Sequence, residues 1–350
     1  MRIAVDAMGG DHAPEEVIKG AVQAAKNYPD IEVLLVGMKG VIEETLAKSG
    51  GGNVPNLRVY NASQAIAMND SPVEAFRSKP DSSITVAANL VKTREADAIV
   101  SAGNTGAVVV AATFMLGLLE GVRRAGIAVP MPTKKGTCFL MDAGGNIHCK
   151  PPHLLQYGIM ASIYAKYIGN VSNPSIGLLN IGEEEEKGNL LVKQTLELFK
   201  KSQLNFYGNV EGQDIYRGTC DVVVCEGFIG NVLLKVTEGV GELLISTLVG
   251  GMKAAGMDIS NGGNNDAPPN PFMQAFAKMK AKLDYSEYGG APLMGVNGVC
   301  IICHGRSKSK AITNAIRVAG ELTKHKANNE IVELIRKTEQ LIESVKKNGE

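Results

Sequence analysis

Short apolar runs that stop at a glycine-bearing polar loop recur along this chain. The first, Ile3-Ala4-Val5, ends at Asp6 and opens into Ala7-Met8-Gly9-Gly10-Asp11-His12-Ala13-Pro14. A run of that length suits a buried strand, the paired glycines permit backbone angles or close approaches that a Cβ blocks, and Pro14 suits the first turn of a helix. The segment therefore predicts strand, tight turn and helix, with Asp6, Asp11 and His12 left at the loop. The same grammar returns in Ile99-Val100-Ser101-Ala102-Gly103-Asn104, Phe139-Leu140-Met141-Asp142-Ala143-Gly144 and Leu178-Leu179-Asn180-Ile181-Gly182. It returns again in Val222-Val223-Val224-Cys225-Glu226-Gly227 and Val299-Cys300-Ile301-Ile302-Cys303-His304-Gly305. Parallel strands would bring all six loops to one sheet edge, where open α/β folds hold their ligands.

Between these units the pattern turns helical. Residues 15–26 alternate apolar and charged positions at helical spacing, 32–37 and 57–60 predict further strands, and Ser71-Pro72 and Pro80-Asp81 read as helix starts. Thr105 and Gly106 lead directly into the apolar stretch 107–119, which predicts a buried helix. A glycine loop ending at a helix N-terminus offers free backbone N–H groups to an anion or a developing oxyanion. Gly250-Gly251, Gly262-Gly263 and Pro268-Pro269 mark 250–271 as a tip rather than core. Phe272, Met273, Phe276, Met279 and Leu283 then share one helical face beside Lys278, Lys280 and Lys282, a basic amphipathic helix fit for lipid or a partner, or equally for packing on its own protein or a second subunit.

Composition narrows the class. The 350 residues are 45% apolar with 40 glycines and no Trp, which predicts one large α/β domain over 1–350 with a helical excursion at about 232–285. Lys plus Arg and Asp plus Glu are equal at 36 each, so no global field draws the chain to nucleic acid. The first apolar run ends at Asp6 with no signal-peptide pattern, and 107–119 is shorter than the about 20 residues that span a bilayer. A cytoplasmic location is the expectation, with the six cysteines reduced and structural. Strict dinucleotide and phosphate-loop fingerprints are absent. Cys300-Ile-Ile-Cys303-His304 has haem-attachment spacing but no export signal, and no second cysteine pair stands at zinc spacing. No metal or other cofactor is therefore expected.

Candidate chemistry gathers at the loops. His12 is a candidate proton shuttle or phosphate donor, with bracing of the loop beside Asp11 and the glycines as its alternative, and Asn104 and Asn231 sit where loops meet helices, as caps or as groups orienting a carbonyl or phosphate oxygen. Lys187 and Arg306 are the candidate cations, Arg306 with carboxylate pairing as its alternative.

Val5-Asp-Ala-Met-Gly-Gly-Asp-His-Ala-Pro14, Ser71-Pro-Val-Glu-Ala-Phe76, Ser101-Ala-Gly-Asn-Thr-Gly-Ala107, Lys187-Gly-Asn189, Glu226-Gly-Phe-Ile-Gly-Asn231 and Asp284-Tyr-Ser-Glu-Tyr-Gly-Gly-Ala291 together resemble the bacterial phosphate acyltransferases of phospholipid synthesis. The resemblance runs nearly end to end and departs where Arg124-Ala125 lacks a proline and where 261–271 is unusually polar. It implies a three-layer α/β/α sandwich with a mostly parallel sheet, like isopropylmalate dehydrogenase and phosphotransacetylase. It further implies a homodimer, peripheral on the membrane, that moves a fatty acyl group from acyl carrier protein to inorganic phosphate. On that reading Lys187 and the Gly9-Gly10-Asp11-His12 loop take phosphate, while Asn104, Asn231 and adjacent N–H groups take the oxyanion. Asp6, Ser101, Gly103, Thr105, Gly106, Gly188, Asn189, Gly227, Gly230, His304 and Arg306 complete the expected substrate site. Basic residues such as Arg123, Arg124 and Lys278 to Lys282 are candidate docking points for the carrier protein. A phosphotransacetylase-like enzyme using coenzyme A and a non-catalytic scaffold binding the carrier protein are the alternatives.

Overall fold

A computed structural model describes residues 1–49, 54–254, 271–283 and 285–348. Eleven strands form one sheet in the order β3-β2-β1-β4-β11-β10-β5-β6-β9-β7-β8. They are β1 (Arg2–Asp6), β2 (Glu32–Gly37), β3 (Leu57–Asn61), β4 (Ala98–Ser101), β5 (Gly126–Pro132), β6 (Thr137–Met141), β7 (Ile176–Leu179), β8 (Phe206–Val210), β9 (Val222–Val224), β10 (Ala291–Met294) and β11 (Val299–Ile302). One face carries α1 (Glu15–Asn27), α2 (Lys39–Lys48), α6 (Pro151–Ile168), α7 (Leu190–Lys201), α11 (Ser309–Lys324) and α12 (Ala327–Asn348). The other carries α3 (Pro72–Ser78), α4 (Ser83–Lys92), α5 (Thr105–Leu116) and α8 (Gly212–Arg217). The long α9 (Gly227–Ala254) lays Leu233 and Leu234 on that second face, and α10 (Pro271–Leu283) follows in the chain. The polar tip expected at 261–271 falls, up to residue 270, outside the described residues.

Strand alternation produces the layers. In β1, Ile3 and Val5 join the core under α1 and α11, while Ala4 between them joins the core under α4 and α5. Both faces of the strand are covered, which is why the run is apolar throughout. Asn104, Ser82 and Asn189 cap α5, α4 and α7 by accepting from Ala107, Thr85 and Val192 N–H. The buried helix predicted from residue 107 is α5, turned into the core through Ala107, Val108, Ala111 and Ala112.

The expectation that all six glycine loops share one edge is corrected. β1, β4 and β11 run parallel, but β10 is antiparallel to both β11 and β5, and β5 is antiparallel to β6. Three reversals leave β6, β9 and β7 pointing opposite to β1, β4 and β11. The loops after β1, β4 and β11 therefore lie at one edge, here the upper, and those after β6, β7 and β9 at the other, the lower.

Close helix packing depends on Gly20 of α1, where an added Cβ would approach Ser309 O to 2.5 Å and Ile312 Cβ to 2.7 Å in α11. Gly20→Ala is expected to lower unfolding free energy by about 1–3 kcal/mol in urea titration through overpacking. An unchanged midpoint would show that the α1–α11 contact relaxes freely.

Candidate active site

The upper edge is organised by a buried carboxylate. Asp6 ends β1 fully enclosed and accepts from the Ser101 hydroxyl at 2.7 Å and Met8 N–H at 3.1 Å, while Ser101 Oγ accepts from Gly103 N–H at 3.1 Å. One side chain thus ties the β1 and β4 loops together. Gly9 is pressed against Asp6 and Gly103, and Gly10 at φ +113° faces Gly305 O, leaving no room for side chains. Asp11 N–H donates to Gly305 O at 2.7 Å, joining the β11 loop to the same cluster. Asp6 therefore positions loops instead of facing ligand.

Asn104 is equally committed. Its Oδ1 caps α5 at 3.1 Å from Ala107 N, and its Nδ2 donates to Met68 O and Asp70 O at 3.0 Å and to Ala67 O at 3.4 Å. Both amide hydrogens are engaged by the 67–70 loop, which Asn104 holds against the start of α5. The adjacent first-turn N–H groups of Thr105 and Gly106 have no intrahelical acceptor and remain as donors. Gly106 itself is required where Pro72 of α3 presses on α5.

At the lower edge α9 starts directly on the turn after β6. Gly227 packs on Asn146 and Gly230 on Asp142 O, while Glu226 accepts from Phe228 and Ile229 N–H at 2.9 and 3.0 Å. Asn231 then lies beside Gly144. From there a cavity of about 550 Å³ runs between α9 and the sheet to His304, Gly305 and Arg306 at the upper edge. Ile127, Val129 and Met131 of β5, with Leu234 and Ile245 of α9, form its apolar wall.

A polar stripe from α9 faces that wall. Asn231, Lys235, Glu238 and Glu242 all line the cavity. Lys235 Nζ lies 2.9 Å from Glu238 and 3.3 Å from His304 Nε2, and Arg306 is ion-paired with Glu242. Burial, reinforced by the Lys235 charge, pushes the His304 imidazole below its ordinary value. A neutral ring at neutral pH follows, able to accept a proton.

The structure thus brings Thr105, Asn231, His304 and Arg306 to one groove, with Gly9, Gly10, Asp11, Ser101 and Gly103 packed behind its upper end. His12 is exposed in the β1–α1 loop and does not line the groove. Lys187 pairs with Glu184 at 2.8 Å beside Gly188 and the α7 cap Asn189, and these three also stand off its wall. Their loop nevertheless neighbours the α9 start, because β7 and β9 pair in parallel. Sequence reading passed over Lys235, Glu238 and Glu242 as site residues. The signal was present: polar residues at 231, 235, 238 and 242 keep one helical face in an otherwise apolar segment. Among the described residues, no group of three or more His, Cys, Asp or Glu side chains is arranged to hold a metal.

The sheet and its flanking helices have the fold of solved phosphotransacetylases. The enzyme from Streptococcus pyogenes matches with a TM-score of 0.61 over 93% of this chain and 94% of its own at 17% identity. The EutD phosphotransacetylase from Staphylococcus aureus gives 0.59 over 92% and 94% at 14% identity. Residues 1–330 match the fatty acid synthesis protein family. Phosphate acyltransferase from Desulfitobacterium hafniense is 50% identical over 92% of this chain and 93% of its own, and that from Halothermothrix orenii is 44% identical over all of both. The chain belongs to this phosphate acyltransferase family and is an acyltransferase.

Burial is the main cause of a raised Asp6 carboxyl, opposed by the groups that donate to it. A carboxyl raised by folding contributes stability that is complete below its unfolded value, about pH 4, and lost as pH rises through its folded value. Relative to Asp6→Asn, the native chain should therefore lose unfolding free energy as pH rises from about 4, read by urea titration of both proteins. A pH-independent difference would refute the raised carboxyl.

Proposed function

We propose that this chain transfers a fatty acyl group from acyl carrier protein thioester to inorganic phosphate, releasing acyl phosphate and the carrier thiol. The observation that carries the reading is the groove itself, with an apolar β5 wall for the acyl chain beneath Lys235, His304 and Arg306. Phosphate is a hydrated, weak nucleophile, so the site must position it and stabilise the oxyanion. Thr105 and Gly106 N–H groups, Lys235 and Arg306 receive the phosphate, with Lys187 of the neighbouring lower-edge loop as the cation the sequence favours. Asn231 takes the oxyanion.

Hydrogen phosphate attacks the thioester carbonyl, the new C–O bond forms, and the C–S bond breaks. The proton leaving phosphate ends on the carrier sulfur. Neutral His304 is the group to pass it, and a thiol of pKa about 8.5 leaves without a strong acid. Glu238 and Glu242 hold Lys235 and Arg306 over the groove.

The outer face of α9 exposes Ile229, Val232, Val236, Val240 and Leu243 at helical spacing. This stripe supports the expected homodimer. Arg123, Arg124 and Lys278 remain the proposed carrier-docking cations. No helix among the described residues is long and apolar enough to cross a membrane. Cytoplasmic residence with peripheral lipid contact is the proposed location.

Purified protein incubated with acyl carrier protein thioester and phosphate should yield hydroxylamine-trappable acyl phosphate, and none without phosphate. Equal or faster turnover with the coenzyme A thioester would replace the donor, and intact thioester throughout would leave a scaffold. Asn231→Ala should cut turnover roughly a hundredfold or more. Lys235→Met should raise the phosphate KM about tenfold or more, by loss of a charge-assisted contact. A larger rise in Lys187→Ala would move the phosphate to the β7–α7 loop.

A further inference from the structure

Three glycines among the described residues line the groove, and two of them are crowded by the fold. An added Cβ at Gly290, where φ is +141°, would come within 2.8 Å of Ile301 Cγ2, and one at Gly305 within 2.7 Å of Met68 Cε. Gly241, in the interior of α9, is different. Its backbone is not left-handed, and a Cβ there would meet no atom within 4 Å. Glycine is a poor helix former, because it gives up more backbone freedom than any other residue. Neither backbone geometry nor packing accounts for the missing side chain.

Helical phase explains what the position faces. Leu234, Gly241 and Ile245 follow one half-buried line of α9, beside the line of Asn231, Lys235, Glu238 and Glu242. Leu234 and Ile245 belong to the apolar wall, so an unbroken wall would carry a large side chain at 241. Glycine leaves a bay between them instead. The lining runs along α9 from Asn231 to Ile245, about 21 Å at the helical rise, and Gly241 stands about 15 Å from Asn231. A carbonyl held by Asn231 sits where α9 packs on the turn after β6, with Gly230 against Asp142 O. Its hydrocarbon tail therefore runs the other way, past Leu234 toward Ile245.

We propose that Gly241 determines acyl chain length: its missing side chain leaves the passage by which the distal part of a long chain reaches Ile245, and a large residue there restricts the groove to shorter acyl groups. The inference rests on the acyl-transfer reading in one respect, that the groove holds the acyl chain. The part of the chain between Asn231 and Leu234 lies short of position 241, so discrimination falls on the distal methylenes. A single methylene gained or lost in an apolar pocket changes selectivity about tenfold or more. Excluding several is then a strong filter.

The test compares octanoyl and hexadecanoyl thioesters of acyl carrier protein on the full chain, by kcat/KM with phosphate and by calorimetric affinity without it. Gly241→Leu is expected to lower the hexadecanoyl-to-octanoyl ratio about tenfold or more in both readouts. Gly239 also has open space around it but lies off the groove, so Gly239→Leu should leave the ratio at the native value. Gly241→Ala should unfold at the native Tm or above, because alanine is the better helix former and meets nothing there. A shifted affinity ratio in a chain that turns over neither thioester would remove the transfer reading and keep Gly241 as the determinant. Turnover with an unmoved ratio in Gly241→Leu, an equal fall for both thioesters, the same shift in Gly239→Leu, or a lower Tm in Gly241→Ala would overturn the determinant and leave transfer standing. A native chain that binds neither thioester would overturn both.

Discussion

Two antiparallel strands in the middle of the sheet set the geometry of everything that follows. β10 and β5 reverse the direction between β11 and β6, so the glycine loops divide between two opposite edges. A site drawing on both sets must then extend along a sheet face. α9 supplies the cover, starting on the lower-edge turn and carrying its polar stripe toward His304 and Arg306 at the upper edge. The register keeps the two loop clusters near one another, because Ile302 at the end of β11 pairs with Ala291 and Met141 at the end of β6 pairs with Ala128, so both strands end level with the middle of β5 and the groove lies over that meeting point.

Each edge is held by the same device. Asp6 follows the last apolar residue of β1, and Asp142 follows β6; both are buried, and burial raises both carboxyls. Asp142 accepts N–H groups from Ile127, Gly144, Gly145 and Asn146 at 2.7–3.1 Å, as Asp6 accepts from Met8 and Ser101. A carboxylate with several donors can fix a loop whose own residues are glycines. Glycine allows the close approaches but contributes no side chain to hold them, so the buried acid and the bare backbone are complementary requirements.

The sequence made some of this legible and concealed the rest for identifiable reasons. The apolar runs ending at Asp6, Ser101, Met141, Leu179, Val224 and Ile302 all became strands, because a strand covered on both faces must be apolar throughout. Strand direction is not written in such a run. The two reversing strands were also the hardest to see: β10 is four residues long, and β5 reads Gly-Ile-Ala-Val-Pro-Met-Pro. Proline normally argues against a central strand. Pro130 and Pro132 are tolerated because the register with β10 covers only Gly126 and Ile127, and β5 beyond it borders the groove. At the site, Asn104 was readable as a cap or as a donor, and the structure shows the cap together with three carbonyl partners in the 67–70 loop that no sequence pattern announces.

The two faces of α9 carry different demands on one segment. Asn231, Lys235, Glu238 and Glu242 follow one spacing, and Ile229, Val232, Val236, Val240 and Leu243 another, so a single helix presents charge to the groove and apolar surface away from it. An isolated exposed apolar residue needs no explanation, but five at helical spacing on one element form a continuous strip. Covering that strip by a second copy would clamp the helix that carries Lys235 and Asn231. Association and the placing of the groove's polar groups would then be coupled through one rigid element, with no residue of the partner needed in the chemistry.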